Sequence, residues 1–466
     1  MIYVTGHAGT GKTTMLMKVA GDLSESLIVH PEHQSLLAIT HMHGARRRID
    51  SLLRKEHPHI PVKVTTIHSF SLGIVNRWRR SLGYNLPIVA NPDASGFIML
   101  YGVHHASFDE ILAKAVALLS GQTVRSFITA TYPLIVVDEF QECDADAVLL
   151  IEKLSYISQL VIAADEFQDL TSADDAPCKA VLWLDACKAK GAKHIDLSIQ
   201  HRTKSNSILH TADALRRNIP ASGPTIEKFV APAVAMLAWK IVQPFLNRKL
   251  DGTCAIVCPS ADPQLDGLLV SINKQLTAKG FAKGIQWVHI QSSEKERKDL
   301  CKQLRIDYGP HPPTLWEMGP IQAKQLAPQA GAIYERVMRF GKLTGRAEIQ
   351  SDLVGHFAQA ALHANRSYSP LIGRFEVTTV HGAKNREFDH VFIFWGYYLP
   401  PQGKQRKMLY NAVTRAKETC VLLVLQKDIG KLKTDPVLRL LGEFRPPFDK
   451  PSIKTSTRKK RGKVGL

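Results

Sequence analysis

The fold can be worked out from the stretch Ile2-Tyr3-Val4-Thr5-Gly6-His7-Ala8-Gly9-Thr10-Gly11-Lys12-Thr13-Thr14. The apolar run Ile2–Thr5 predicts a β-strand, and the apolar spacing that begins at Thr14 predicts a helix. Between them, residues 6–13 fit the pattern GxxxxGK[ST], in which glycines let the backbone curl and point its N–H groups at phosphate oxygens. The stretch therefore predicts a strand, a phosphate-binding loop and a helix in succession.

This loop predicts a binding site for ATP and Mg²⁺. Lys12 is expected to reach the β- and γ-phosphates, and the Thr13 hydroxyl is expected to ligate Mg²⁺. The N-terminal end of the following helix adds favourable electrostatics for the phosphates. The residues expected to bind the nucleotide are Gly6, Gly9, Thr10, Gly11, Lys12, Thr13 and Thr14.

A pair of carboxylates follows another apolar run. Leu134–Val137 predicts a buried strand that ends in Asp138-Glu139-Phe140-Gln141. At the carboxyl end of a neighbouring parallel strand, Asp138 would lie over the phosphate loop and hold Mg²⁺ together with Thr13. Glu139 would then orient and deprotonate the attacking water. The sequence therefore predicts hydrolysis of a nucleoside triphosphate.

Short apolar runs alternate with helical patterns along most of the chain. Turn residues bound these runs, which is typical of parallel strands covered by helices on both faces. We therefore expect an α/β fold with doubly wound parallel sheets. The predicted strands are Ile2–Thr5, Ser26–Val29, Val62–Thr66, Leu134–Val137, Leu160–Ala163, Cys254–Cys258, Phe375–Thr379, His390–Phe394 and Cys420–Leu425.

Composition and charge favour a protein that binds nucleic acid. The 466 residues include 60 Lys and Arg against 42 Asp and Glu, and the net charge of +18 favours a polyanionic partner. Seven cysteines without a CxxC pair argue against a disulfide scaffold or a zinc ribbon and favour a cytoplasmic protein. We expect no signal peptide, no transmembrane helix and no membrane partner, since the chain lacks an apolar run of about 18 residues.

Further motifs occur in the order found in one helicase family. The chain resembles the UvrD/Rep family of superfamily 1 (SF1A) DNA helicases, as a compact variant. Besides the phosphate loop and Asp138–Gln141, the segments that carry the resemblance are Leu36–Thr40 with Gly44–Ile49, Thr65–Phe70, Ala164–Gln168, Leu197–Thr203, Val377–Lys384 with Glu387-Phe388, and Tyr410–Lys417.

The resemblance implies roles for further residues. Gln168 would sense the γ-phosphate and couple it to the grip on DNA, and Glu387 would contact the ribose. Arg202 and Arg415 would act as arginine fingers that stabilise the charge of the transition state. The residues expected to lie along single-stranded DNA are Thr40, Thr66, His68, Phe70, Thr379 and His381. For Phe70, a place in the hydrophobic core is as good an interpretation as a place along the DNA.

The resemblance also implies two RecA-like P-loop domains with the nucleotide between them. The first is expected to span residues 1–204, with a helical insertion at about 78–125. The second is expected to span 205–443, with a reduced insertion at about 304–369. Residues 444–466 are predicted to be a disordered basic tail, because eight basic residues and one acidic residue follow from Arg445 onward with little apolar periodicity.

Three functions remain open at this point. An autonomous translocase or helicase would move 3′ to 5′ on single-stranded DNA or a 3′-tailed duplex. A nucleic-acid- or nucleotide-sensing ATPase would work with a nuclease partner, as in anti-phage defence. Asp169-Leu170-Thr171-Ser172 favours that alternative, since the family usually has an aromatic residue shortly after Gln168. A small-molecule kinase would share the phosphate loop but has no need for the motifs after residue 197.

Overall fold

A computed structural model of the chain describes residues 1–40, 43–91, 94, 96–100, 103–247, 251–260, 262–281, 285, 287–289, 293–306, 314–345, 347–366, 374–428 and 430–444. The predicted basic tail therefore lies outside the described residues, apart from Phe444. Within the described part, no single helix is both long and apolar enough to cross a membrane, although one pair of consecutive helices, bent by 96°, passes the same test of length and composition together.

The strands and helices alternate along the chain, as expected for an α/β protein. The strands are β1 (Ile2–Gly6), β2 (Leu36–Thr40), β3 (Val62–Thr66), β4 (Ile88–Ala90), β5 (Ile98–Leu100), β6 (Val103–Ala106), β7 (Leu134–Asp138), β8 (Gln159–Ala164), β9 (Lys193–Leu197), β10 (Glu227–Ala231), β11 (Cys254–Cys258), β12 (Val288–His289), β13 (Phe375–Thr379), β14 (Phe388–Trp395) and β15 (Ala416–Leu425). The α-helices are α1 (Lys12–Leu27), α2 (His43–Glu56), α3 (Ile67–Arg77), α4 (Phe108–Leu118), α5 (Gln122–Thr131), α6 (Ala145–Ser155), α7 (Lys179–Ala189), α8 (Asn206–Arg217), α9 (Val234–Leu246), α10 (Gln264–Ala278), α11 (Ser293–Gln303), α12 (Pro320–Ala323), α13 (Pro328–Thr344), α14 (Ser351–Arg366), α15 (Gln402–Val413) and α16 (Gly430–Thr434).

Two parallel sheets organise the chain. The first sheet has the strand order β3-β2-β7-β8-β1-β9, and the second has the order β10-β15-β14-β11-β13-β12. Every pair of neighbouring strands in both sheets is parallel. The strands β2, β7 and β11 are buried along their whole length, as in sheets that helices cover on both faces. The predicted α/β class with parallel sheets is confirmed. We call the part built on each sheet the first and the second domain.

One predicted strand is wrong. The Ser26–Val29 segment is not a strand, because Ser26 and Leu27 form the end of α1 and Val29 is exposed. The strand of this region is β2, ten residues further on, whose five side chains are all buried. Burial between neighbouring strands therefore outweighs the β-propensity of the short Ile28-Val29 pair.

The insertion expected at about 78–125 is only partly helical. It contains α4 and the beginning of α5, but it also contains a three-stranded sheet in the order β4-β6-β5. In that sheet β4 pairs with β6 in parallel and β5 pairs with β6 antiparallel. Helix α4 begins with a capping box, in which Ser107 and Glu110 cap each other reciprocally. The segment of about 304–369 contains α12, α13 and α14, with a separate small core around Trp316 and Ile333.

The parallel arrangement brings the candidate residues to one edge of each sheet. In the first sheet, the carboxyl ends of β1, β2, β3 and β7 carry Gly6, Thr40, Thr66 and Asp138. In the second sheet, the carboxyl end of β13 carries Thr379. Ligands of open α/β sheets bind at this edge, so the fold favours a site where the two edges meet.

Candidate active site

The phosphate loop joins β1 to α1 and depends on glycines with positive φ. Gly9 has a φ of 86° and Gly11 a φ of 84°, in the left-handed region that strains any other residue. A Cβ atom at Gly9 would also collide with Oε1 of Gln200. The helix begins directly after Gly11, so its N-terminal end adjoins the loop, as an anion site requires.

Three acceptors hold the ammonium of Lys12. Its Nζ lies 3.0 Å from the carbonyl oxygen of Gly6, 3.0 Å from that of His7 and 3.3 Å from Oδ2 of Asp165. An ammonium has three N–H donors, so these contacts use all of them. Lys12 must therefore exchange at least one contact before it can bind a phosphate oxygen.

Thr13 and Asp138 meet at the predicted metal position. Oγ1 of Thr13 donates a hydrogen bond to Oδ2 of Asp138 across 2.9 Å. Burial, followed by the charge of neighbouring Glu139, raises the pKa of Asp138 to about 7. A cation at this position would favour the charged carboxylate. Mg²⁺ commonly takes one or two side-chain oxygens together with phosphate oxygens and water, so these two residues fit it. The described residues contain no group of three or more His, Cys, Asp or Glu side chains that could hold a metal ion.

Glu139 is fixed by an amide two residues further on. Its φ of 56° is uncommon for a residue with a side chain, and such conformations cluster at functional sites. Nε2 of Gln141 donates to Oε2 of Glu139 across 2.5 Å, and Oε1 of Gln141 accepts the N–H of Asp165. Gln141 therefore orients the carboxylate that was predicted to activate water, and ties it to the end of β8.

Asp165, which follows β8, is the centre of a buried network. Lys12 and Gln168 both donate to its Oδ2, and Arg216 donates to its Oδ1 across 2.8 Å. Burial by itself would raise the pKa of Asp165, but Lys12 and Arg216 outweigh it and hold that pKa well below its usual range. Asp165 is therefore a charged carboxylate between cations of both domains.

The segment of residues 200–203 runs between the two domains. On the side of the phosphate loop, Nε2 of Gln200 donates to the carbonyl of Ala8 across 2.6 Å, and the N–H of His201 donates to the carbonyl of Gly9. On the side of the second domain, Nε of Arg202 lies 2.9 Å from Oε1 of Glu387. This segment therefore links the loop that binds phosphate to residues on the opposite side of the cleft.

Arg415 approaches the first domain from the second. Its side chain is buried, and Nη2 lies 3.4 Å from Oε1 of Gln168. Burial, followed by repulsion from Arg202, lowers the pKa of Arg415 to about 10, which still leaves the guanidinium charged at neutral pH. The two predicted arginine fingers therefore lie close enough to repel each other, and Arg415 contacts Gln168.

A cavity of about 680 Å³ is lined by most of the residues that were predicted to bind the nucleotide or act on it. Both domains line it, and the predicted residues on its wall are Gly9, Thr10, Gly11, Lys12, Thr13, Thr14, Glu139, Gln168, Arg202, Glu387 and Arg415. Gly6 and Asp138 lie behind that wall, where Gly6 accepts from Lys12 and Asp138 accepts from Thr13. The volume of the cavity suits a nucleotide, since ligand pockets commonly enclose about 300–1,000 Å³.

Three of the six residues predicted to contact DNA are buried. Thr40 is 0% exposed, and Thr66 caps α3 by accepting the N–H of Ser69. Phe70 is 4% exposed and packs against Tyr132 in the core of the first domain. Phe70 is therefore unable to offer a face for base stacking in this conformation, and its core interpretation is the one that the packing supports.

The other three residues predicted to contact DNA reach the surface. His68 is partly exposed and packs its ring edge-on against Phe108, with centroids 5.1 Å apart. Thr379 is also partly exposed, and its Oγ1 accepts the N–H of Gly382. His381 is exposed. These residues follow β3 or end β13, so they belong to the carboxyl edges of the two sheets.

Sequence reasoning missed several residues of this region. Arg216 lies on α8, outside every motif, and nothing in its neighbourhood indicated a role. Tyr410 belongs to a motif, yet its contact was not predicted: its hydroxyl accepts the N–H of Ala8 across 3.1 Å. Burial, followed by the charge of Asp165, raises the pKa of Tyr410 to about 12. Tyr397 and Tyr398, which follow β14, are 46% and 55% exposed, and their adjacency was the available signal.

Comparison with known protein families agrees with this geometry. The model of an AAA domain matches residues 1–173, which include the phosphate loop, Asp138 and Gln168. The model of the UvrD-like helicase C-terminal domain matches residues 375–423, which include Glu387 and Arg415. No curated protein matches the chain. The two matches fall on the two domains that enclose the cavity, and they identify the chain as a UvrD/Rep-like superfamily 1 helicase, an enzyme that hydrolyses ATP.

Proposed function

We propose that this helicase translocates 3′ to 5′ along single-stranded DNA and opens 3′-tailed duplexes, with ATP hydrolysed in the cavity between the two domains. The observation that carries the proposal is the make-up of that cavity. The first domain contributes Lys12, Thr13 and Glu139, and the second contributes Glu387 and Arg415. A site shared in this way makes the state of the nucleotide depend on the position of one domain relative to the other.

The residues of the cavity suit phosphoryl transfer to water. Lys12 and the backbone of the loop would hold the β- and γ-phosphates, with Thr13 and Asp138 holding Mg²⁺. When bound, Mg²⁺ would neutralise part of the phosphate charge. Glu139, oriented by Gln141, is suited to accept the proton of the attacking water.

The arginine residues are suited to the charge that develops during hydrolysis. Arg202 and Arg415 are planar cations, and an arginine finger at the transferring phosphoryl group of P-loop GTPases raises kcat by about 10³–10⁵. Gln168 lies between Asp165 and Arg415, with contacts of 2.7 Å and 3.4 Å. A shift of Gln168 toward the γ-phosphate would therefore move a contact that joins the two domains.

One ion pair connects the hydrolysis machinery to the predicted DNA edge. Lys384 of the second domain pairs with Glu142, and both side chains are largely buried. Glu142 follows Glu139 by three residues, and Lys384 follows His381 by three. Movement of the Asp138–Glu142 segment is thereby transmitted to the segment that carries His381, which supports alternating grip on a strand.

The surface near that edge suits single-stranded nucleic acid. Tyr397 and Tyr398 offer exposed rings beyond β14, and Ser260 fixes their loop by donating to the carbonyl of Tyr398. Because β13 and β14 are both parallel to β11, the two tyrosines lie at the same edge as His381. Exposed aromatic rings beside cationic groups bind single strands by stacking and by phosphate contacts. The net charge of +18 favours the same partner.

Steady-state ATP hydrolysis with and without single-stranded DNA tests the proposal. Strong stimulation by DNA is expected, and Lys12→Ala and Glu139→Gln are expected to abolish it, with Glu139→Gln retaining nucleotide binding. Strand displacement should occur on a 3′-tailed duplex and be absent on a 5′-tailed one. Hydrolysis that ignores DNA, or displacement from the 5′ tail, would contradict the proposal.

A second candidate is an ATPase that senses nucleic acid within a complex containing a nuclease. The observation that favours it is the contact between residues 169–176 and α15. Buried Arg406 and Lys407 of α15 contact Asp174 and backbone carbonyls of this segment, and an aromatic residue is absent from positions 169–172. If this second candidate is correct, DNA will not change the rate of ATP hydrolysis by the isolated chain, but it will do so once the nuclease subunit is added.

A further inference from the structure

Arg216 reaches from the second domain into the buried network behind the phosphate loop. Its helix, α8, packs against α15 and β15 of the second domain. Nη1 of Arg216 lies 2.8 Å from Oδ1 of Asp165 and 3.5 Å from the hydroxyl of Tyr410. The next residue, Arg217, has a different environment: it pairs with Asp213 at the surface, and its side chain is 65% exposed. Arg216 is therefore the basic residue of this helix end that contacts the first domain.

Four donors converge on the carboxylate of Asp165. They are Nζ of Lys12, Nη1 of Arg216, Nε2 of Gln168 and the N–H of Phe167. The side chain of Asp165 is 0% exposed, so water cannot replace a donor that leaves. Two of the four donors are cations, one from each domain.

Among these four donors, Lys12 is the one that is also expected to bind the phosphates of the nucleotide. Its three N–H groups are taken by Gly6, His7 and Asp165, yet it is also the residue that must bind phosphate oxygens. Asp165 and the phosphates are both anions, so they compete for the same ammonium. The outcome of this competition depends on what else neutralises Asp165.

We propose that Arg216 is a positioning residue for nucleotide binding, which neutralises Asp165 so that Lys12 is free to move to the phosphates. The proposal rests on nucleotide binding by the 6–14 loop. It assigns Arg216 no contact with the nucleotide, since Arg216 lies behind the loop, beside Tyr410 and Phe167. The second domain thereby sets the affinity of the first domain for the nucleotide.

The physical reason is the cost of an unpaired charge in a buried place. With Arg216 present, Asp165 keeps one cation after Lys12 leaves. Without Arg216, the departure of Lys12 would leave a buried carboxylate with only neutral donors, which is strongly unfavourable. Lys12 would then stay on Asp165, and the nucleotide would bind more weakly.

The test measures the Kd of ATPγS by titration calorimetry with Mg²⁺ on the full chain. Arg216→Gln is expected to weaken binding by about tenfold, the size of one charged hydrogen bond. Arg216→Lys should retain most of the affinity, because it keeps the charge. Asp165→Asn removes the competing carboxylate, so its Kd should be no higher than that of the wild type. Adding Asp165→Asn to Arg216→Gln should restore the lost affinity. The matched control is Arg217→Gln, which should leave Kd unchanged.

The outcomes separate the proposal from a purely structural role. An unchanged Kd in Arg216→Gln would overturn it, as would a weakened Kd that Asp165→Asn fails to restore. If circular dichroism shows that Arg216→Gln does not fold, Asp165→Asn and Arg216→Lys still decide, and a Kd raised tenfold in either one counts against the proposal. Lys12→Ala tests the nucleotide site itself: if it leaves Kd unchanged, the loop is not the binding site, whatever Arg216 does.

Discussion

Arg202 and Glu387 form an ion pair across the domain interface, in which Nε of Arg202 lies 2.9 Å from Oε1 of Glu387. Nη1 of Arg202 also donates to the carbonyl oxygen of Thr414 across 2.7 Å. The resemblance implies that Arg202 is an arginine finger for the phosphates and that Glu387 contacts the ribose, so in this conformation the two residues form an ion pair with each other at the wall of the cavity. A nucleotide that takes either side chain out of this pair would link its binding to a rearrangement of the cleft.

Replacing Arg202 should therefore affect the chemical step more than binding. Arg202→Ala is expected to lower kcat for ATP by at least about a hundredfold with a smaller change in KM, because an arginine finger acts on transition-state charge. Arg202→Lys should not restore the rate, since an ammonium lacks the planar fork of donors. Steady-state kinetics measure both. Arg54→Ala, at a surface pair whose arginine side chain is 69% exposed, is the control and should match the wild type. A kcat within threefold of the wild type in Arg202→Ala would remove Arg202 from the mechanism.

The contact between the 169–176 segment and α15 should make a large contribution to stability. Asp174 is 8% exposed, and its carboxylate accepts the backbone N–H groups of Arg406 and Lys407, each across 2.9 Å. Asp174→Ala would leave both buried N–H groups without that acceptor, whereas the guanidinium of Arg406 keeps the backbone carbonyl of residue 174. We expect a loss of about 3 kcal/mol in the free energy of unfolding, since each unsatisfied buried donor costs about 1–3 kcal/mol. Urea denaturation followed by fluorescence measures it.

The neighbouring carboxylate provides a control for that measurement. Asp175 also contacts Arg406, but its side chain is 78% exposed. The exposed carboxylate of Asp175 stays hydrated, and without it the guanidinium of Arg406 still donates to the backbone carbonyls of Leu215 and Asp174. Asp175→Ala should therefore lose no more than about 1 kcal/mol. Equal losses in the two variants would contradict the prediction that the buried acceptor Asp174 contributes more to stability than the exposed Asp175.

The parts of the site that the sequence predicts are those that depend on local pattern. The phosphate loop is specified by glycine spacing within eight residues, and Asp138 and Glu139 come directly after an apolar strand. A strand, a turn and a helix that are adjacent in the chain fix these side chains relative to one another. Two parallel sheets follow from the same kind of pattern, because buried strands are recognisable as short apolar runs.

The parts that the sequence does not predict depend on how distant segments pack. Arg216 and Asp165 are 51 positions apart, and they meet because α8 packs on the second domain while β8 belongs to the first. The identity of an aromatic residue likewise does not tell whether it is exposed: Phe70 is in the core, whereas Tyr397 is at the surface. Burial of this kind is a property of the folded chain, so periodicity alone could not separate the two.

Tyr397 and Tyr398 should contribute to the grip on single-stranded DNA. Replacing both with alanine is expected to raise the DNA concentration for half-maximal stimulation of hydrolysis by about tenfold or more, since stacking contributes about 1–3 kcal/mol per base. Hydrolysis without DNA should be unchanged, because neither residue lines the nucleotide cavity. Tyr156→Ala is the control, since Tyr156 is 68% exposed but lies after α6, away from the strand edges. An unchanged half-maximal concentration in the double variant would exclude the two tyrosines from the DNA path.

The ionised state of Asp165 should make a pH-dependent contribution to stability. Lys12 and Arg216 hold the pKa of Asp165 well below its usual range despite burial, whereas in the unfolded chain an aspartate has a pKa of about 3.9. A depressed pKa in the folded state gives stability that is fully present above the unfolded pKa and is lost as the pH falls toward the folded one. Below about pH 4 the loss approaches about 1.4 kcal/mol per pH unit.

Thermal unfolding of the wild type and Asp165→Asn between pH 3 and pH 7 measures this contribution. The difference in Tm between them should be constant from pH 5 to pH 7 and should shrink below pH 4, because the wild type loses its advantage as the unfolded state takes up the proton. Glu166→Gln is the control, since Glu166 is the exposed neighbour of Asp165 and lies outside its ion pairs. A difference as large at pH 3 as at pH 7 would mean that Asp165 stabilises the fold through its shape or hydrogen bonds, and that its charge between Lys12 and Arg216 adds nothing.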